Sequence, residues 1–162
     1  MRRLAFVAAV FVIACAALKQ PPVPVPVAMT ARDGNGLSMS SEVVQQIAAL
    51  MRRGIRDQIE PAACVASYRT WADGTSKKVD IYALTLADVD SADELNIWYH
   101  GPHLCDDSMP TLHGHVSRAM YVPFPSPVDS ATLQRFAAPF GLIAYRANDS
   151  TVGVVVYWKP KP

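Results

Sequence analysis

The chain has 162 residues, 51% of them hydrophobic, and its 15 Lys and Arg against 14 Asp and Glu give a formal net charge of +1. That length suits one ordinary domain with a proper core and is short for two. Near-neutrality argues against a nucleic-acid binder that acts through a general basic field, and no Gly-rich phosphate loop points to a nucleotide cofactor.

The first segment in chain order is apolar. Residues 4–18 (LAFVAAVFVIACAAL) follow Met1-Arg2-Arg3, the order of positive n-region and short h-region found in a secretory signal peptide. The run falls short of the roughly 18 apolar residues of a membrane span. Val12-Ile13-Ala14-Cys15 resembles the lipobox of bacterial lipoproteins, which implies cleavage before a lipidated Cys15. Cleavage after Ala16 or Ala17, or an uncleaved anchor, is the other reading. The expectation is an exported protein in the periplasm or at the outer face of a membrane, held there by an N-terminal lipid. Residues 1–20 contain Arg2, Arg3 and Lys19 and no acid, so the exported part carries 12 basic against 14 acidic side chains. In an oxidising compartment Cys64 and Cys105 can pair; in the cytosol they read as buried thiols or ligands.

With 1–20 as the signal peptide, 21–39 reads as a tether. Pro21, Pro22, Pro24 and Pro26 fix φ and remove donors, which favours an extended spacer, and residues 28–39 (AMTARDGNGLSM) are a loose lead-in. The folded domain is expected over 40–162. Ser40-Ser41 can cap a helix with apolar positions at Val43, Val44, Ile47, Ala48, Met51 and Ile55, and Glu42 suits its first turn. Pro61 rules out a helix running through it.

Strand patterns follow at Ala62 to Thr70 and Lys78 to Leu86, with a turn at Asp73-Gly74 between them. In the second strand Val79, Ile81 and Ala83 alternate against Asp80, Tyr82 and Leu84. Asp88, Asp90, Asp93 and Glu94 form an acidic, solvated loop ahead of a strand at Leu95 to Tyr99. Another short strand is expected at Thr111 to Val116. Ser126 as N-cap, Pro127 at the first helical position and Asp129 at the third open a helix of about ten residues with a stripe of Leu133, Phe136 and Ala137, which Pro139 ends. Phe140 to Tyr145 and Val152 to Trp158 are closing strands joined by a turn at Asn148-Asp149. The order indicates an α+β domain in which helices flank a mixed, mostly antiparallel sheet.

All four histidines, His100, His103, His113 and His115, lie between positions 100 and 115. A strand has a side-chain period of two, so His113-Gly114-His115 projects both imidazoles from one face. Asp129 can supply a third ligand, although Ser-Pro-x-Asp is also a sufficient cap without any metal. Two imidazoles and a carboxylate leave one tetrahedral position open, the arrangement of a catalytic zinc. A hydrolase further needs a base beside the metal. Glu60, at the junction of helix and sheet, is the candidate, with Glu42 and Glu94 left open by spacing. His100 and His103 read as outer partners or surface groups, or as members of an all-histidine copper or nickel site.

Glu60 after an amino-terminal helix, Leu112-His113-Gly114-His115, Ser126-Pro127-Val128-Asp129 at a helix start and Phe140-Gly141-Leu142-Ile143-Ala144-Tyr145 together resemble the JAMM/MPN zinc metallopeptidases. The resemblance spans roughly Ser41 to Trp158. It implies a fold of the cytidine-deaminase-like class, with zinc on His113, His115 and Asp129. It also implies Glu60 as general base and Ser126 as the group stabilising the transition state of peptide or isopeptide hydrolysis. Val116 stands where the family usually has Pro, Pro61 directly after the Glu is unusual, and the loop 116–125 is longer than usual. The function expected is a zinc-dependent hydrolase acting on a peptide or protein at the cell envelope, with no nucleic-acid partner. The alternatives are a non-catalytic envelope binding module with a retained metal site and an envelope metal-binding protein that uses the histidine cluster.

Overall fold

The computed structural model describes residues 27–29, 36–93, 96–98, 104–106, 108–116, 124–148 and 151–160. In chain order the elements are strands β1 (Val27–Met29) and β2 (Gly36–Met39), helix α1 (Ser41–Asp57), strands β3 (Ala62–Asp73), β4 (Ser76–Leu86), β5 (Ser91–Ala92), β6 (Ile97–Trp98) and β7 (Thr111–His115), helix α2 (Pro127–Arg135), and strands β8 (Phe140–Arg146) and β9 (Val152–Trp158). Among the described residues the architecture is mixed α+β, a sheet-rich core with two helices.

Seven strands form one sheet in the order β1-β9-β8-β7-β3-β4-β2, and β5 and β6 form a separate small hairpin. The main sheet is mixed: β3–β4, β3–β7 and β8–β9 run antiparallel, while β1–β9, β2–β4 and β7–β8 run parallel. The two longest ladders, β3–β4 and β8–β9, are antiparallel, while the antiparallel β3–β7 ladder is shorter than the parallel β7–β8 one beside it.

Ser40 is extended and accepts the Val43 N–H on its side chain, which starts α1. Val43, Ile47, Ala48 and Met51 are buried as the spacing predicts, together with Leu50 and Gly54. This stripe packs on one face of the sheet against Ala63, Val65, Val79, Ile81, Leu112, Leu142 and Val154. The other face carries Ile143, Tyr145, Val155 and Tyr157, and Tyr157 also meets Leu133, Phe136 and Ala138 at the end of α2. The sheet therefore lies between α1 and α2.

Two expectations need correction. The segment 28–39 is not only a lead-in: β2 pairs with β4 through Leu37↔Val79 and Met39↔Ile81, and Leu37 and Met39 pack against the core. The reason is a strand-period apolar pair that covers an otherwise open edge of β4. The alternation in β4 also breaks. Register shifts occur in β3 between Val65 and Tyr68, and Leu84, instead of Ala83, joins Val79 and Ile81 on the core side. Bulges of this kind change which side chain faces inward. The proposed signal peptide, Cys15 and Pro21 to Pro26 lie outside the described residues. Among the described residues, no helix is long and apolar enough to cross a membrane.

Candidate metal centre and its cleft

Strand periodicity sorts the residues of β7. Leu112 points to the α1 side, where it is fully buried in the core, and Gly114 meets that layer as well. His113 and His115 consequently share the α2 side, where both are buried. Their Nε2 atoms are 3.2 Å apart.

Asp129 reaches them from the first turn of α2. Ser126 and Asp129 form a reciprocal capping box: the Asp129 N–H donates to Ser126 Oγ at 3.1 Å, and the Ser126 N–H donates to Asp129 Oδ2 at 2.7 Å. The carboxylate so held puts Oδ1 3.3 Å from His113 Nε2 and Oδ2 3.9 Å from His115 Nε2. Burial would raise the Asp129 pKa. The hydrogen bond and charge of His113, with the hydroxyl and N–H of Ser126, outweigh it and hold the group down at about 2. Capping and convergence on the histidines coexist in this one carboxylate.

One ligand atom from each of His113, His115 and Asp129 lies within 4.8 Å of the others, so this buried triad can hold a metal ion. The donor set fits. Ligand bonds of ~2.0–2.1 Å in a tetrahedral site place neighbouring ligand atoms roughly 3.3 Å apart, close to the 3.2 Å and 3.3 Å separations here.

Glu60 stands in the same cleft, whose free volume is about 270 Å³ and whose walls include His113, Asp129, Thr111 and Tyr157. Its position depends on its neighbour Pro61. A Cβ on Gly54 of α1 would lie 2.8 Å from Pro61 Cδ, and a Cβ on Gly114 of β7 would lie 2.6 Å from Pro61 Cγ. Pro61 is thus wedged between two glycines, and the Gly114 N–H donates to the Pro61 carbonyl at 2.9 Å. Pro61 is what docks the Glu60 segment on the histidine strand. The Glu60 N–H donates in turn to the Asp93 carbonyl at 2.7 Å. Burial pushes the Glu60 carboxyl up to about 7; nearby His113 opposes this, and Asp129 and Asp93 add to it.

The remaining candidates are placed as follows. Ser126 is the N-cap of α2 and acts on Asp129; it is not among the residues that wall the cleft. Glu42 is exposed in the first turn of α1. Cys64 and Cys105 are joined as a disulfide, with Cα atoms 5.8 Å apart. It ties the loop carrying Leu104, another cleft residue, to β3. Glu94, His100 and His103 lie outside the described residues.

Several cleft residues had no signal in the linear pattern. Trp98 belongs to the β5–β6 hairpin, which is closed by Asp93 accepting the Asn96 N–H. The Asp93 carbonyl binds Glu60, so part of the acidic loop is a structural support for the site. Tyr157 faces Gly141 across the β8–β9 ladder, and a Cβ on Gly141 would lie 2.3 Å from the tyrosine ring. That glycine gives the ring its place. Burial, and after it the charge of Asp129, push the Tyr157 hydroxyl above its ordinary range, against a hydrogen bond with Thr111. An aromatic residue opposite a glycine is a usable signal only once the strand register is known.

No family model, curated protein or solved structure matches this chain.

Proposed function

We propose that this protein is an exported zinc hydrolase of the JAMM/MPN type that cleaves peptide or isopeptide bonds at the bacterial cell envelope. The observation that carries the reading is the convergence of two imidazole nitrogens and one capped carboxylate beside a second, separately buried carboxyl. A cation site alone does not need Glu60. A hydrolytic site does, because a group must hold and pass a proton without occupying the metal.

In this reading His113, His115 and Asp129 hold the ion, and Ser126 fixes the rotamer of Asp129 through the capping box. When bound, zinc lowers the pKa of a coordinated water towards roughly 7 and polarises a carbonyl. Glu60 is the proton carrier, since a buried carboxyl beside the ligands that does not itself occupy the metal can accept a proton and give it to a leaving amine. Glu60, His113 and His115 are themselves buried, which strengthens the electrostatics among them. Export is supported by the amino-terminal pattern and is consistent with the Cys64–Cys105 disulfide. The lipid anchor at Cys15 rests on the lipobox-like residues alone.

The test is metal analysis paired with mutagenesis. The purified protein should hold one zinc per chain, and His113→Ala or Asp129→Ala should lose it. Glu60→Gln should retain zinc and abolish hydrolysis of a peptide library. Zinc retained by the ligand variants would refute the site. Full zinc binding with no hydrolysis by the parent protein would favour a non-catalytic binding module.

A further inference from the structure

The wall of the cleft is mixed, with neutral polar groups at Asn96, Thr111 and Thr132. Glu60, His113 and Asp129 lie together, while Ile97, Trp98, Leu104, Val128 and Phe136 make up much of the rest of its wall. Two of these side chains are unusually open for their chemistry: Trp98 is 48% exposed and Val128 is 72% exposed. Val128 sits between the cap residues Pro127 and Asp129, where a solvent-facing polar side chain would serve the helix at least as well. Trp98 is displayed by a hairpin that is held to Glu60 through Asp93. Isolated exposed apolar residues are ordinary, but a pair flanking one concave site with convergent polar groups marks a place where a ligand completes the burial.

We propose that this cleft selects a peptide carrying a large apolar side chain next to the amide presented to Glu60, His113 and Asp129, with Trp98 and Val128 as the specificity-determining residues. The word substrate here rests on the hydrolase reading; the binding preference does not. A free volume of about 270 Å³ lies below the ~300–1,000 Å³ of drug-sized pockets. It suits one side chain and its flanking amides. No Lys or Arg lines the cleft among the described residues, and Glu60 and Asp129 do, so in the metal-free protein an acidic side chain is disfavoured.

The test uses N-acetyl amino-acid amides of glycine, leucine, phenylalanine, aspartate and lysine. They are titrated by NMR into the full chain, once with chelator and once with added zinc, following the Trp98 indole and Val128 methyl signals. Burying a branched or aromatic side chain predicts that the leucine and phenylalanine probes bind at least about tenfold tighter than glycine, with aspartate weakest in the chelated sample. Trp98→Ala and Val128→Ser should each narrow that gap, and Val128→Ile should keep it. Equal binding of the glycine and leucine probes, tightest binding of lysine, or a gap that survives both substitutions would overturn the proposal. Val128→Ser changes one exposed side chain, so it is informative even where Trp98→Ala disturbs the hairpin. Zinc content separates the two ideas. A protein without zinc that still discriminates leucine from glycine keeps this inference and loses the hydrolase, and one with zinc but no discrimination does the reverse.

Discussion

A Cβ on Gly114 would come within 2.6 Å of both Met51 Sδ and Pro61 Cγ. Met51 can move, but the proline ring is fixed between α1 and β7. Gly114→Ala should therefore destabilise the protein by about 1–3 kcal/mol, measured by denaturant unfolding, and should weaken zinc binding because it displaces the two flanking histidines. Ser126→Ala removes a cap worth about 1 kcal/mol and frees the Asp129 carboxylate. Loss of such an orienting partner typically costs 10–100-fold in metal affinity, to be read by competition with a chelating dye. Glu60 gives the pH prediction. Its pKa rises from 4.5 in ordinary surroundings to about 7 in the folded, metal-free protein. Between those values the folded state keeps a proton that the unfolded chain releases, so this group makes stability fall as pH rises through the window. Comparing the chelated parent with Glu60→Gln from pH 4 to 8 should show the parent losing more stability; parallel curves would contradict the buried placement.

At the scale of elements, the Cys64–Cys105 bridge joins residues 41 apart in sequence. The chain-entropy model assigns such a loop ~4 kcal/mol, so reductant should lower the unfolding midpoint markedly, and Cys64→Ala/Cys105→Ala should be insensitive to it. What was legible from sequence follows the same scale. The α2 start was readable because Ser126, Pro127 and Asp129 lie within four residues, and their geometry is local. His113 and His115 were placed on one face because strand periodicity is local too. The linear pattern puts Leu84 outward because the residue types of β4 keep a period of two, whereas the register skips Ala66 in β3 and Tyr82 in β4 and so reverses the facing beyond Tyr82. The strand order, the parallel β7–β8 contact and the inclusion of β2 depend on pairings between distant segments, and no short window contains them.

For the whole molecule, the site assembles from six separate stretches: the end of α1 through Pro61, the β5–β6 hairpin, the Leu104 loop, β7, α2 and β9. A ligand that binds only this assembled state stabilises all of it. Zinc at 100 times its dissociation constant should add ~2.7 kcal/mol, seen as a rise in the thermal midpoint that chelator reverses and His113→Ala abolishes. The candidate ligands could be listed from sequence because their residue types and spacing carry the chemistry. The pocket beside them could not, because Trp98, Leu104, Phe136 and Tyr157 become neighbours only through the tertiary fold.

Pro61 also acts before any of this forms. The residue preceding a proline is sterically driven towards extended backbone, so in the unfolded chain Glu60 already samples fewer conformations than an ordinary glutamate. Some of the entropy normally lost on placing a buried carboxyl is therefore absent from the start. Replacing Pro61 would loosen a packed wedge in the folded state and, at the same time, widen the ensemble from which Glu60 has to be recruited.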